Sequence, residues 1–343
     1  MLMKRRVAIQ TAPKRLEIIE EELPQLGEKE VLVKVESIGL CHSDVPQFLG
    51  VSAMGTDSYG RRAIVHPLTY PRYIGHEPVG TVLEVGSSVS SVRPGDYVGG
   101  PMGGFADYLV TEEKKCVPVP KTVSPLKYCL AEPLTCISNI VQAANPRFGD
   151  YAAVIGCGLM GLLTIAGLSH SSAAEVIAID LMPERLALAK QYGATICLSP
   201  AETDVDRSVY EITKGRGCDV VVEITGSLKG LRTASQIIRY SDMFDYTGRG
   251  KIIVSSLYSK EEKLDIETGY NLMFRSPIVH NVHPWYCEDY HRTGISGIDA
   301  YIKGILPLDR MITHEFPLSD VQKGFETMTS GDLSYLKGIV IPD

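Results

Sequence analysis

The stretch YAAVIGCGLMGLLTIAGLSH, residues 151–170, decides the fold. An apolar run ends in Gly156-x-Gly158-x-x-Gly161 and passes directly into a second apolar run that reads as a helix. Each glycine has its own physical task. The first permits a tight turn, the second lets backbone approach a pyrophosphate, and the third lets the helix pack close on the strand before it. Leu159 and Met160 fall in the first helical turn, where free N–H groups and the helix dipole favour an anion. The next apolar run, EVIAID (175–180), ends on Asp180, at the distance where a dinucleotide-binding unit carries its acid. That carboxylate can accept hydrogen bonds from the adenosine ribose and would repel a 2′-phosphate, which favours NAD over NADP. Arg185 stands close enough in sequence to cover the adenine or to soften the discrimination. The bland alternative is that the glycines only turn a strand into a helix; Asp180 at the end of the following strand argues against it.

Outward from this motif the same texture continues. PERLALAKQYGAT (183–195), CDVVVEITGS (218–227) and GKIIVSS (250–256) alternate helical and continuous apolar segments, as a parallel sheet covered on both faces requires. Before residue 146 the pattern differs. EVLVKVESIGLC (30–41), VGTVLEVGSSV (79–89) and RPGDYV (93–98) are short β-like runs broken by glycine and proline, reading as an irregular, mostly antiparallel unit. From 276 onward the chain is mixed and ends in a short apolar strand, GIVIP (338–342).

Whole-chain properties narrow the function. With 343 residues, two domains are the expectation. A net charge of −7 without a basic stripe argues against nucleic acid and anionic membrane surfaces, leaving small-molecule chemistry. The basic N-terminus is followed by no apolar signal region, and no run reaches the roughly 18 apolar residues of a membrane span, so a cytoplasmic location is expected. Eight scattered cysteines with no CxxC pair fit reduced thiols better than a disulfide framework.

In YPRYIGHEPVG (70–80), His76 and Glu77 stand side by side in an otherwise apolar run. Upstream, GLCHSDV (39–45) supplies Cys41. Thiolate, imidazole and carboxylate together suit a catalytic zinc with one open position. Downstream, LAEPLTC (130–136) supplies Glu132, a carboxylate that equally suits a helix N-terminus.

With these residues in view, the chain resembles the zinc-containing medium-chain dehydrogenase/reductase family, the alcohol and sorbitol dehydrogenase relatives, over nearly its whole length. GLCHSD, GHEPVGTVLEVGSSV, RPGDYV, GGFADYLV, AEPL, the Gly156 motif and THEFPL carry the resemblance. It implies an α/β protein: a GroES-like β-rich catalytic domain over 1–145, a doubly wound Rossmann domain over 146–275, and a segment over 276–343 that completes the Rossmann sheet and returns to the catalytic domain. The active site would lie in the cleft between the domains. The AEPL motif matches the sorbitol dehydrogenase branch, which implies Cys41, His76 and Glu77 as zinc ligands, with Glu132 as the fourth, exchangeable one. One catalytic zinc per chain and NAD are the implied cofactors.

The resemblance further implies that Ser43 accepts the substrate proton, that His42 lies near the cofactor phosphates, that Asp44 orients ligands, and that Thr225 and Gly226 sit beside the nicotinamide ribose. The chain departs from the family in three places. Only GGPM (99–102) separates GDYV from GGFADYLV, so the four-cysteine structural zinc lobe is expected to be absent. Pro46 and Gln47 replace the histidine that often continues the proton relay, with His66 the one weak substitute. An insertion, GVSAMGTDSYGRRAIVHPLTYPRY (50–73), separates Cys41 from His76; its Arg61, Arg62, His66 and Arg72 either greet an anionic or hydroxylated substrate or form a solvated loop. His280, His283 and His291 are assigned to an interface or surface rather than to a second metal site. The expected reaction is oxidation of a secondary hydroxyl of a polyol or sugar derivative to a ketone by hydride transfer. An amino-alcohol dehydrogenase is the alternative within the class, and a non-catalytic NAD-binding protein the alternative outside it. A homodimer or homotetramer, joined through edge strands of the Rossmann sheet, is the implied assembly.

Overall fold

Two kinds of strand build two units. The computed structural model describes residues 3–56, 61–65, 67–240, 249–258, 262–283 and 286–343. Unit 1 comprises Met1–Leu134 and Leu308–Asp343, and unit 2 is Thr135–Pro307. The expected boundary at 145 thus falls at the far end of a helix, Ala131–Ala144, whose first turn belongs to unit 1. The C-terminal segment rejoins unit 1 at residue 308.

Unit 1 begins with strands β1 (Lys4–Ala12), β2 (Arg15–Glu22) and β3 (Glu30–Gly39), followed by the short helix α1 (Val45–Phe48). Next come β4 (Ala53–Thr56), β5 (Arg62–Val65), β6 (Arg72–Tyr73), β7 (Glu77–Val85), β8 (Tyr97–Gly99), β9 (Tyr108–Glu112) and β10 (Val117–Val119). Helix α2 is the Ala131–Ala144 segment.

Unit 2 alternates β11 (Tyr151–Ile155), α3 (Leu159–Ser169), β12 (Glu175–Ile179), α4 (Pro183–Gln191), β13 (Ile196–Leu198), α5 (Val205–Ile212) and β14 (Val220–Glu223). It continues with α6 (Leu228–Ile237), β15 (Lys251–Val254), α7 (Ile266–Arg275), β16 (Ile278–Asn281) and α8 (Tyr290–Ile302). Back in unit 1, β17 (His314–Pro317), α9 (Val321–Thr329) and β18 (Gly338–Ile341) follow.

The largest sheet of unit 1 runs β10-β8-β7-β3-β18-β17, with β9 also paired to β3. Its pairs are antiparallel except β17 with β18. Strands β2-β1-β6 form a second sheet, and β4 with β5 a hairpin within the insertion. Alternating apolar residues of β1, β3 and β7 drive the core, where the Phe48 and Phe325 rings stack at 4.8 Å and Phe105 meets Phe325 edge-on at 5.7 Å.

Unit 2 holds a six-stranded parallel sheet in the order β13-β12-β11-β14-β15-β16. Its central strands are buried on both faces, which is why they read as unbroken apolar runs. This is the doubly wound order, with its switch point between β11 and β14, where such sheets bind ligands beyond the strand C-termini. Several helices are stopped from fraying by side-chain caps: Asp204, Ser227, Asp265 and Asp289 each accept from a backbone N–H of the first turn of α5, α6, α7 and α8. No described helix is long and apolar enough to cross a membrane.

Candidate active site

Two neighbouring strands deliver the metal-ligand candidates of unit 1. The C-terminal end of β3 leads into Cys41, and β7 opens on Glu77 directly after His76, with Gly39 and Glu77 opposed in the pairing. On the other side of β3, β18 pairs Ile339 with Gly39, and Leu40 donates its N–H to the Gly338 carbonyl at 2.9 Å. The sulfur of Cys41, a ring nitrogen of His76 and a carboxylate oxygen of Glu77 lie within 4.8 Å of one another. Glycine at 39 is a requirement of this geometry, since a Cβ there would sit 1.9 Å from Glu77 Oε2.

The surroundings orient each ligand group. His76 Nδ1 meets Asp44 Oδ1 at 3.1 Å, which turns Nε2 toward Cys41 and Ser43. Asp44 Oδ2 is buried without a partner. Ser43 Oγ donates to Cys41 Sγ at 3.2 Å and lies 3.4 Å from His76 Nε2, so its hydroxyl sits on the ligand group. Burial, then the charge of Glu77, pushes the Cys41 thiol above its ordinary pKa. Burial works against the His76 imidazolium, but the Asp44 carboxylate and the neighbouring Cys41 together outweigh it and hold the imidazole well above its usual value. Thiol, imidazole and two acids crowded into a half-buried space are a charge arrangement that a divalent cation relieves, and the donor set fits zinc.

One residue here is absent from the sequence reading. Lys337, buried just before β18, donates to Glu77 Oε2 at 2.5 Å and to the Leu40 carbonyl at 3.0 Å. Burial alone would raise the Glu77 carboxyl and lower the Lys337 ammonium; their mutual attraction reverses both, holding Glu77 below and Lys337 above the ordinary value. The signal was present in SYLKGIVIP (334–342): a lysine opening an otherwise apolar strand must find an anion or leave the core.

The remaining candidates of unit 1 stand as follows. Glu132 is buried in the first turn of α2 and is not part of the close ligand group. His42 is exposed, with its ring 6.5 Å from that of Tyr335, and borders a cavity of about 660 Å³ between α1 and α9. Gln47 is engaged structurally, donating to the Tyr73 carbonyl. Arg61 and Arg72 are described, whereas His66 and the Arg62 side chain lie outside the described residues.

In unit 2 the glycine loop has the geometry its spacing predicts. Gly156 adopts φ +99°, and a Cβ on Gly161 would strike the Gly156 carbonyl oxygen at 1.8 Å. Gly158 is the N-cap of α3 and has nothing within 4 Å of where its Cβ would be, so the first turn, with Leu159 and Met160, opens onto free space. Asp180 anchors this loop, accepting from Cys157 N at 2.7 Å and from Met182 N at 2.9 Å. Arg185 lies in the first turn of α4, half-buried. Thr225 and Gly226 form an exposed turn after β14, with Gly226 at φ +75°. His280 lies on β16 and is exposed, and His283 and His291 are half-buried. None of these three joins a metal-ligand group among the described residues.

Comparison with known proteins agrees with both units. The alcohol dehydrogenase GroES-like domain model matches residues 27–121, and the zinc-binding dehydrogenase model matches residues 160–268. An erythritol/L-threitol dehydrogenase of Mycolicibacterium smegmatis is 30% identical, over 94% of this chain and 93% of that protein. An L-threonine 3-dehydrogenase of Caldanaerobacter subterraneus is 28% identical over 92% of each. The crystal structure of 2R,3R-butanediol dehydrogenase from Bacillus subtilis superposes with a TM-score of 0.81 at 26% identity, covering 99% of this chain and 100% of that one. The chain therefore belongs to the zinc-containing medium-chain dehydrogenase/reductase family and is a zinc-dependent, NAD-linked alcohol dehydrogenase in the broad sense.

Proposed function

We propose that the protein oxidises a secondary hydroxyl of a small polyol or sugar derivative to a ketone, reversibly, with NAD as the hydride acceptor. The observation that carries this reading is Ser43, whose hydroxyl touches both Cys41 and His76 of the ligand trio. A chain that only bound NAD would need neither the trio nor that serine. Cys41, His76 and Glu77 would hold zinc, with Glu132 as an exchangeable fourth ligand. Zinc, when bound, supplies a Lewis acid that lowers the pKa of a substrate hydroxyl. Ser43 would then relay the proton that leaves that hydroxyl, accepting it while passing its own toward the cofactor ribose, and Asp44 keeps His76 in the orientation the metal needs. In unit 2, Gly156, Gly158, Leu159, Met160 and Gly161 cradle the pyrophosphate, Asp180 takes the adenosine ribose and Arg185 flanks the adenine. Thr225 and Gly226 meet the nicotinamide ribose. Asp180, fixed by two backbone donors, favours NAD over NADP.

The substrate class leans on the relatives named for erythritol, threitol and butanediol. The relatives named for L-threonine favour the second reading, an amino-alcohol substrate. Metal analysis combined with NADH formation over polyols, vicinal diols, sugar phosphates and amino alcohols separates the two. About one zinc per chain, lost with activity in Cys41→Ser, is expected; full activity without metal would sink the zinc-dependent reading.

A second copy of the chain is the partner that fits the edge of the unit 2 sheet. All four residues of β16 are exposed, its outer edge has no strand beside it among the described residues, and α7 next to it exposes Ile266, Tyr270, Met273 and Phe274. Two such edges pair antiparallel across a two-fold axis, which closes both. Light scattering is expected to give a dimer or tetramer, and Val279→Pro a smaller species; a wild-type monomer would rule it out. All eight cysteines are free, in keeping with the cytoplasm.

A further inference from the structure

At the C-terminal end of β14 a carboxylate is buried for which the reading above has no task. Glu223 closes a strand that is otherwise Val220-Val221-Val222, and it is fully buried. An apolar residue would fill this position without the cost of desolvating a charge. Instead, Glu223 collects three donors. Thr225 gives Oε1 both its N–H, at 2.8 Å, and its hydroxyl, at 2.5 Å, while the Tyr258 hydroxyl gives Oε2 a bond of 2.5 Å. Burial and the neighbouring carboxylate push the Tyr258 hydroxyl up in pKa, so it remains a donor.

These bonds join two loops that the sequence separates. One is the Thr225–Gly226 turn after β14, and the other is the segment 255–258 after β15. A second tie runs alongside: Gly226 N donates to Ser256 Oγ at 3.0 Å. Thr225 Oγ1 also accepts from Ser227 N at 3.0 Å, linking the turn to the cap of α6. There is no slack in the packing, since a Cβ on Gly230 would come within 2.5 Å of Glu223 Oε1.

Strand order says what the two loops serve. Asp180 follows β12 and the glycine loop follows β11, while β14 and β15 lie on the other side of β11. A dinucleotide with its ribose at Asp180 and its pyrophosphate at Gly158 must send its second half over the ends of β14 and β15. We propose that Glu223 is a positioning residue for the nicotinamide half of NAD, locking the Thr225–Gly226 turn and, through Tyr258, the loop after β15 into the one arrangement that receives it. The inference rests on the NAD reading of unit 2.

The test compares NADH with ADP, which lacks both the nicotinamide and its ribose, on the full chain carrying Glu223→Gln or Tyr258→Phe. NADH affinity is read by fluorescence titration and ADP affinity by calorimetry. Both variants are expected to bind NADH about tenfold more weakly, equivalent to about 1.4 kcal/mol, with ADP affinity unchanged. Unchanged NADH affinity would overturn the proposal, and so would an equal loss for both ligands, which would make Glu223 a support of the fold alone. Should Glu223→Gln fail to fold, Tyr258→Phe decides, because it keeps the carboxylate and removes one donor. Wild-type protein that binds neither ligand would instead refute the NAD reading.

Discussion

Lys337 decides how Glu77 behaves when no metal is bound. Breaking a buried ion pair from one side leaves an uncompensated charge, and Lys337→Met is expected to cost the metal-free protein about 3–5 kcal/mol near neutral pH. The pH dependence follows from the two shifts. Because Glu77 is held below its ordinary 4.5, the pair's contribution is present above that value and is lost as the pH falls further. Because Lys337 is raised above 10.5, the contribution is complete below that value and is lost only as the pH climbs through the higher one. In Lys337→Met the deficit should therefore narrow in acid, where Glu77 takes up a proton. Urea unfolding at pH 7 and pH 4 measures this, and a deficit indifferent to pH would mean that the lysine only fills space. Ser43→Ala is expected to lower kcat by about 10²–10⁴-fold while zinc content stays unchanged; a loss of metal would give Ser43 a structural role instead. At this scale the sequence disclosed Cys41, His76 and Glu77, because ligand types are legible wherever they fall. It hid which anion Lys337 meets, because Glu77 lies far from it in the chain and reaches it only through the pairing of β18 with β3.

Strands β7, β3 and β18 act as one rigid bracket, and the glycines along them set its tolerance. Gly39→Ala places a methyl group 1.9 Å from Glu77 Oε2 and 2.9 Å from Leu130 Cδ1, so the carboxylate must leave its position. Such a variant is expected to fold, since β3 is held by three other strands, but to bind zinc at least about tenfold more weakly. Competition with a chromophoric chelator would read this; wild-type affinity would show that Glu77 is dispensable to the metal. Elements with a clean period were legible in advance. The strands of unit 2 and the helix α3 follow from unbroken apolar runs and a spaced set of glycines. The partner of β3 was not legible, because GIVIP carries no information on which edge it will join. Nor does sequence spacing disclose whether Glu132 ligates or caps: it opens α2, where either role suits an acid.

For the molecule as a whole, the two units should respond to different ligands. Removing the metal with a chelator is expected to speed hydrogen exchange in the ends of β3 and β7 of unit 1, and adding NADH to slow it in the first turn of α3 and after β14 in unit 2. Exchange measured by mass spectrometry would show it, and a uniform change in both units with either ligand would contradict it. The division into two textures was legible from the sequence; the point of return was not, since the segment after 308 joins unit 1 only through contacts distant in the chain, the pairing of β18 and the packing of Phe325 among them. That return governs the order in which the protein can be made. Unit 2 is translated in full before β18 and Lys337 leave the ribosome. The nascent Rossmann sheet can close while the C-terminal end of β3, at Ile38 and Gly39, still lacks its β18 partner and Glu77 lacks its lysine. Until then, an unpaired strand end and an acid without its counter-ion stand open to chaperones and to stray metal ions, so the ligand group is the last part of this enzyme to mature.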